Sequence, residues 1–278
     1  MYKLEKFENG FEYITVKNEA ASAKIALQGG HIFEYIKEES KNLLWLSEQS
    51  AFEEGVAIRG GIPLCWPRFG SLDESLPQHG FARTELFRLL EVKEINATTT
   101  EVLLGLSDTP FTRQIWNHRF HLQLSIRVSQ TLQLSLSTEN LEDEAFMITE
   151  AFHTYFTISA IKNIVIKGLE EKPYYDSLLD CRSKESQSLI IDREVDRVYQ
   201  ETDDTILLVD KEKTITLQTE GSSSSVVWNP WIDKCSKMSY MNKNAYKDFV
   251  CIESANAFDD FVIIKSKKKH TLSLVVSF

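Results

Sequence analysis

The stretches VAIRGGIPLCWPRFG (56–70) and PQHGFAR (77–83) set Arg59, Arg68 and Arg83 among glycines, prolines and apolar side chains, with Gln78 and His79 beside them. Arginine offers a planar fork of donors that suits phosphate or carboxylate oxygens. Glycine lets backbone approach a ligand closely, and proline stiffens a loop and lowers the entropy lost on binding. Two arginines converging here would hold a dianion. The alternative is structural, because the chain carries 41 Asp+Glu against 31 Lys+Arg, and arginines in an acidic protein commonly pair with those acids. Farther along, His153 interrupts the apolar and aromatic run EAFHTYFTIS (150–159), and Glu253 interrupts VCIESANAF (250–258). A buried carboxylate needs partners. A buried histidine and glutamate sharing a cleft can be tuned apart into an acid and a base. Each alone also reads as a satisfied core residue, and 100 residues separate them.

The elements that would carry these residues are mostly strands. HLQLSIRVS puts Leu122, Leu124, Ile126 and Val128 on one face; TLQLSLS does so with Leu132, Leu134 and Leu136; TLSLVVSF does so with Leu272, Leu274, Val276 and Phe278. This alternation predicts half-buried antiparallel strands. FEYITVK, AKIALQ, HIFEYIK, EVLLGLS, NIVIKG, QSLIID, TITLQT, SSVVWN and DFVCIES recur along the chain as further strands, which favours a sandwich or barrel. Short helices are predicted within 232–241, after Pro230, and at AFEEG (51–55). No linker or repeat divides the chain, so one all-β domain over 1–278, a large antiparallel β-sandwich, is expected, with long irregular segments near 50–85 and 170–200. Long irregular segments in a compact domain usually carry function. The second holds Asp196, whose plain reading is a solvated loop charge. Trp66, Trp228 and Trp231 offer faces that suit a pyranose, although tryptophan in a β-protein is more often core.

Composition narrows the partners. A formal charge of -10 argues against nucleic acid and anionic membrane surfaces, which select basic faces. It leaves room for a small anion held by a local cluster. Four cysteines without C-x-x-C spacing fit reduced thiols in a cytoplasmic protein, not a disulfide framework or a metal site. The N-terminus MYKLEKFENG lacks the apolar core of a signal peptide.

Six strings occur in order: RGGIPLCWPRFG, QHGFAR, AFHTYF, DREVDRVY, VVWNPW and CIESAN. Together they resemble the hexose-6-phosphate mutarotases, the glucose-6-phosphate 1-epimerase branch of the aldose 1-epimerase superfamily. The resemblance runs over nearly the whole chain and implies a galactose mutarotase-like sandwich, agreeing with the period-two reading. It implies that His153 is the general acid and Glu253 the general base of anomer exchange. It implies that Arg59, Gln78 and Arg83 bind substrate, the arginines at the phosphate, that Asp196 meets sugar hydroxyls, and that His79 is a further contact. No cofactor or metal is implied. The partner is a small sugar phosphate, and a monomer is expected over an oligomer. Two departures bear on pocket shape: Arg68 follows Trp66-Pro67 where an aromatic residue is expected, and LFR at 86–88 stands where a tryptophan is expected.

Overall fold

The computed structural model describes residues 1–37, 40–70, 76–203, 205–211 and 213–278. Two eight-stranded antiparallel sheets dominate it. One runs, in spatial order, through Val165–Lys167, Thr205–Val209, Thr214–Glu220, Lys269–Ser277, Leu132–Asn140, Phe120–Val128, Thr99–Ser107 and Arg88–Asn96. The alternation read from the sequence holds here. Phe120, Leu122, Leu124, Ile126 and Val128 are buried, as are Leu132, Leu134, Leu136, Leu272, Leu274 and Val276, with more exposed residues between them. Each such side chain withdrawn from water contributes roughly 1.5–3 kcal/mol.

The other large sheet positions the chemistry. Its order is Cys181–Lys184, Pro173–Asp176, Val195–Gln200, Ser224–Asn229, Phe249–Asn256, Glu150–Phe152 and Leu64–Cys65. Tyr155–Thr157 also pairs with Phe249–Asn256. All eight residues of Phe249–Asn256 are buried, so both faces of this strand are covered. Because strand side chains alternate between faces, Val250 and Ile252 enter the main core, whereas Phe249 and Cys251 join a separate cluster with Tyr155 and Trp228. Glu253 shares that second face. A four-stranded sheet (Tyr2–Lys6, Glu12–Lys17, Ala21–Ala26, His31–Lys37) and a ribbon of Phe146–Ile148 with Val262–Ile264 complete the framework.

Several expectations change. Residues 170–200 are not irregular, since they contain Pro173–Asp176, Cys181–Lys184 and the start of Val195–Gln200. These strands are short, and Cys181–Lys184 is exposed throughout, so no burial pattern marks it. QSLIID forms no strand; only Leu189 bridges to Ile166. AFEEG forms a turn, with Val56 N–H donating to Glu53 O. The helix after Pro230 is confined to Trp231–Cys235. An unpredicted helix, Pro110–Ile115, is set by a reciprocal Thr109–Thr112 capping box with proline in its first turn. Among the described residues no helix is long and apolar enough to cross a membrane, and the four cysteines are unpaired.

The segment 50–85 does stay largely irregular, and glycines hold it against the sheet. At Gly80, φ is +69° and a Cβ would sit 2.1 Å from the Trp66 carbonyl oxygen. At Gly10, φ is +88° but the added atom meets nothing within 4 Å. Gly80→Ala should therefore cost more than about 1 kcal/mol and clearly more than Gly10→Ala. Thermal denaturation of both variants tests this, and equal losses would show that close packing at Gly80 contributes nothing.

Candidate active site

The seven residues singled out from the sequence, Arg59, Gln78, His79, Arg83, His153, Asp196 and Glu253, all line one cleft of about 290 Å³. Strand pairing explains how distant positions meet. Glu150–Phe152 and Tyr155–Thr157 both pair with Phe249–Asn256, through Phe152↔Ser254 and Tyr155↔Cys251. His153 lies in the break between them, opposite Glu253. Its backbone N–H donates to Pro63 O at 3.0 Å, and Ile252 N–H donates to Thr154 O at 3.3 Å, so the break is tied on both sides. One strand over, Val226 pairs with Glu253 and Trp228 with Cys251; one further, Asp196 pairs with Trp228. Asp196 is thus a strand residue on the cleft floor, not a solvated loop charge.

His153 Nδ1 lies 3.5 Å from Glu253 Oε1, and the two residues are 9% and 2% exposed. Glu253 Oε2 has no hydrogen-bond partner. The imidazole stacks on Tyr155 with centroids 4.9 Å apart and 9° between the planes, and Trp228 meets it edge-on. Burial pushes the Glu253 carboxyl well above the usual carboxylate range, and Asp196 adds to the effect. Burial holds His153 well below the ordinary imidazole range, helped by His79, Arg83 and Arg59. A low-polarity site opposes both charges, leaving a group with raised affinity for a proton beside one that releases it readily.

The loop supplies the opposite wall. Ser50 Oγ accepts from Arg59 N–H at 2.7 Å, and Arg59 O accepts from Ser47 N–H. The adjoining Gly60 O lies 2.8 Å from His31 Nε2, so that nitrogen carries the proton. Arg83 Nη2 donates to Gln78 O at 2.7 Å. Among the described residues neither Arg59 nor Arg83 has a carboxylate within ion-pair distance, so the structural reading, pairing with the chain's own acids, does not describe these two arginines. Arg68 is not part of the cleft lining. At His79, Gly70 N–H donates to Nδ1 at 3.3 Å, with Cys65 Sγ at the same distance. Nδ1 is therefore an acceptor, and Nε2 carries the proton of the neutral ring.

Sequence reading missed Tyr155, Met238 and Lys234 in the lining. Lys234 belongs to the short helix after Pro230, and only its nearness to VVWNPW hinted at it. Of the three tryptophans, Trp228 alone reaches the cleft. Trp66 is fully buried, with Nε1 donating to Thr138 Oγ1, and Trp231 packs on Tyr246. The LFR departure lies elsewhere as well: Leu86 is exposed and Phe87 is in the core. A roomier cleft of about 450 Å³ near Lys6, Gln28 and Leu86 contains no histidine; acid–base chemistry, not size, identifies the site.

Burial holds His31 to about 4 against the Gly60 hydrogen bond, and holds His79 to about 3 with help from Arg83 and Arg59. Both titrate near 6.5 when unfolded. Stability from these rings is complete above that value. As pH falls through 6.5 toward 4 and 3, the unfolded chain takes up protons that the folded chain refuses. Each ring then removes about 1.4 kcal/mol per pH unit. Urea midpoints should fall across this window, and His31→Gln should flatten the slope. An unchanged slope in that variant would overturn the assignment.

Residues 12–277 match the Aldose 1-epimerase family. Two curated relatives carry the name "Putative glucose-6-phosphate 1-epimerase". That of Escherichia coli strain K12 is 32% identical over 265 residues, spanning 93% of this chain and 88% of the relative. That of Cenchrus ciliaris is 31% identical over 268 residues, spanning 91% and 80%. A crystal structure of a "putative mutarotase" from Salmonella typhimurium superposes with a TM-score of 0.91 at 27% identity, covering 99% of this chain and 92% of that one. With this cleft on the shared sandwich, the chain belongs to the aldose 1-epimerase family and is an isomerase of the mutarotase type.

Proposed function

We propose that the protein interconverts the α and β anomers of a D-hexose 6-phosphate, with D-glucose 6-phosphate the first candidate. The observation that carries this reading is the pair of arginines. Arg59 and Arg83 face the cleft that holds His153 and Glu253 and are not engaged by a carboxylate among the described residues. Leaving two cations in a half-enclosed site without a counter-ion is costly, unless a ligand brings the charge. The names of the curated relatives point the same way.

Anomer exchange requires ring opening. Glu253, as carboxylate, takes the proton of the C1 hydroxyl while His153, as imidazolium, gives one to the ring oxygen. The C1–O5 bond breaks, the carbonyl end rotates, and the ring closes on the other face with both transfers reversed. The steps need neither metal nor nucleotide. The arginines bear on the acid as well as on binding. They help to hold His153 neutral in the free site, after burial and His79. A phosphate dianion seated on them would cancel part of that field and so favour the imidazolium, with burial still opposing it. Binding energy at the phosphate also orients C1, at the far end of the sugar. Four free cysteines fit a cytoplasmic setting.

Arg59→Ala and Arg83→Ala should each lower kcat/KM on glucose 6-phosphate by about 10- to 100-fold, the worth of a charge-assisted contact, while sparing the slower turnover of free glucose. Equal losses on both sugars would refute the phosphate role. Glu253→Gln and His153→Ala should each cost about 10²–10⁴-fold in anomer exchange with melting temperature little changed. Magnetisation-exchange NMR reads the rate, and near-normal exchange in either variant removes that residue from the chemistry.

A further inference from the structure

Lys234 lines the cleft beside Asp196 and Trp228, in a helix of five residues that follows Pro230. Its Nζ stands 3.2 Å from Glu194 Oε1 and 3.7 Å from Asp196 Oδ2, and 5.9 Å from the Trp228 ring centroid. It is thus clamped between an outer carboxylate and an inner one, over the aromatic residue that pairs with Asp196 across the sheet. The side chains of Lys234 and Asp196 are 41% and 28% exposed. An anion this close to the buried Glu253 carboxylate would work against a base that must ionise. A cation on its outer side removes that conflict while leaving the carboxylate free to meet a hydroxyl.

We propose that Lys234 is a positioning residue of the reaction: it fixes the Asp196 carboxylate on the cleft floor and screens its charge from Glu253. The inference rests on the reading of Glu253 as base. The groups that face Glu253 are His153 across the strand break, Tyr155 on a neighbouring strand, Cys65 and Asp196 each two strands away on either side, Cys251 on its own strand, and Arg59, His79 and Arg83 from the loop wall of the cleft. Of these, Asp196 is the one that both raises the proton affinity of Glu253 and has a cation attached. Burial raises the proton affinity of Asp196 itself, and Lys234 opposes that rise. Lys234 therefore acts on two carboxyls through a single contact.

The test is the acid limb of the pH profile of kcat/KM, measured by anomer exchange on whichever aldose, free or phosphorylated, turns over fastest. In Lys234→Met the limb should move to higher pH by about one unit, the scale of an unscreened neighbouring charge, and kcat/KM at neutral pH should fall about tenfold. Lys234→Arg should restore both. In the Asp196→Asn background, the Met substitution should leave the limb where it is, because no anion remains to be screened. An unmoved limb in Lys234→Met overturns the proposal, whatever its rate, and so does an equal shift with Asn at 196. If Lys234→Met is poorly folded by circular dichroism, Lys234→Gln is scored by the same criteria. Glu253→Gln separates the two readings. If it keeps its rate, the base assignment falls. If it loses its rate while Lys234→Met has an unmoved limb, the role of Lys234 alone falls.

Discussion

Two strand fragments, Glu150–Phe152 and Tyr155–Thr157, pair with the single strand Phe249–Asn256, and the gap between them puts His153 opposite Glu253. A continuous strand would have offered one face or the other at each position, with every backbone group spent on the ladder. The register is the same on both sides of the break, so His153 and Tyr155 keep to the cleft side while Phe152 and Phe156 enter the core; the His153 N–H donates to Pro63 O, and Thr154 O accepts from Ile252 N–H. Register then does the rest. Val226, Trp228 and Asp196 follow from the pairing of two more strands, and they arrive on the same face because side chains alternate. The meeting of the seven sequence-predicted residues in one cleft is a consequence of sheet geometry plus one loop.

A second histidine–glutamate pair shows why that position matters. Glu150 is fully buried, His270 Nε2 lies 3.3 Å from it, and neither carboxylate oxygen has a hydrogen bond. Burial raises the affinity of Glu150 for a proton just as it does for Glu253. Yet Glu150 does not line the cleft, and His270 Nε2 is already shared with Asn256 Oδ1 at 3.0 Å. A histidine beside a buried glutamate is therefore not itself a sign of catalysis. What sets His153 and Glu253 apart is access to a cleft where Arg59 and Arg83 have no carboxylate within ion-pair distance among the described residues.

The legible parts of the sequence were those with a water-facing side. Phe120–Val128 and Leu132–Asn140 alternate because one face is solvated, and the pattern announces itself. Phe249–Asn256 is buried on both faces, so its alternation between core and cleft is hidden; only Glu253, a carboxylate in an apolar run, betrayed the second face. Pro173–Asp176 and Cys181–Lys184 are strands of four residues whose pairing comes from neighbours, not from a pattern of their own. Asp196 reads as a loop charge from the sequence because DREVDRVY shows no clear alternation ahead of its strand, Val195–Gln200. Lys234 carried almost no signal, since a lysine on a short helix is ordinary until a neighbouring carboxylate is seen to need it.

The loop arginines and the buried pair solve one problem from two ends. An acid–base pair sealed from water resists holding a charge on either member, yet the reaction needs a carboxylate and an imidazolium together. Water cannot be admitted to stabilise them without weakening every contact in the site. Under the proposed function a charged ligand eases the acid's side of this: an anion at the arginines would offset the field that they add to burial in holding His153 neutral. On this view the acidic net charge of -10 is no obstacle to binding an anion. Long-range repulsion is largely screened beyond about 10 Å at ordinary salt, whereas two guanidinium groups in a cleft act within a few ångströms, where their field adds to that of burial on His153.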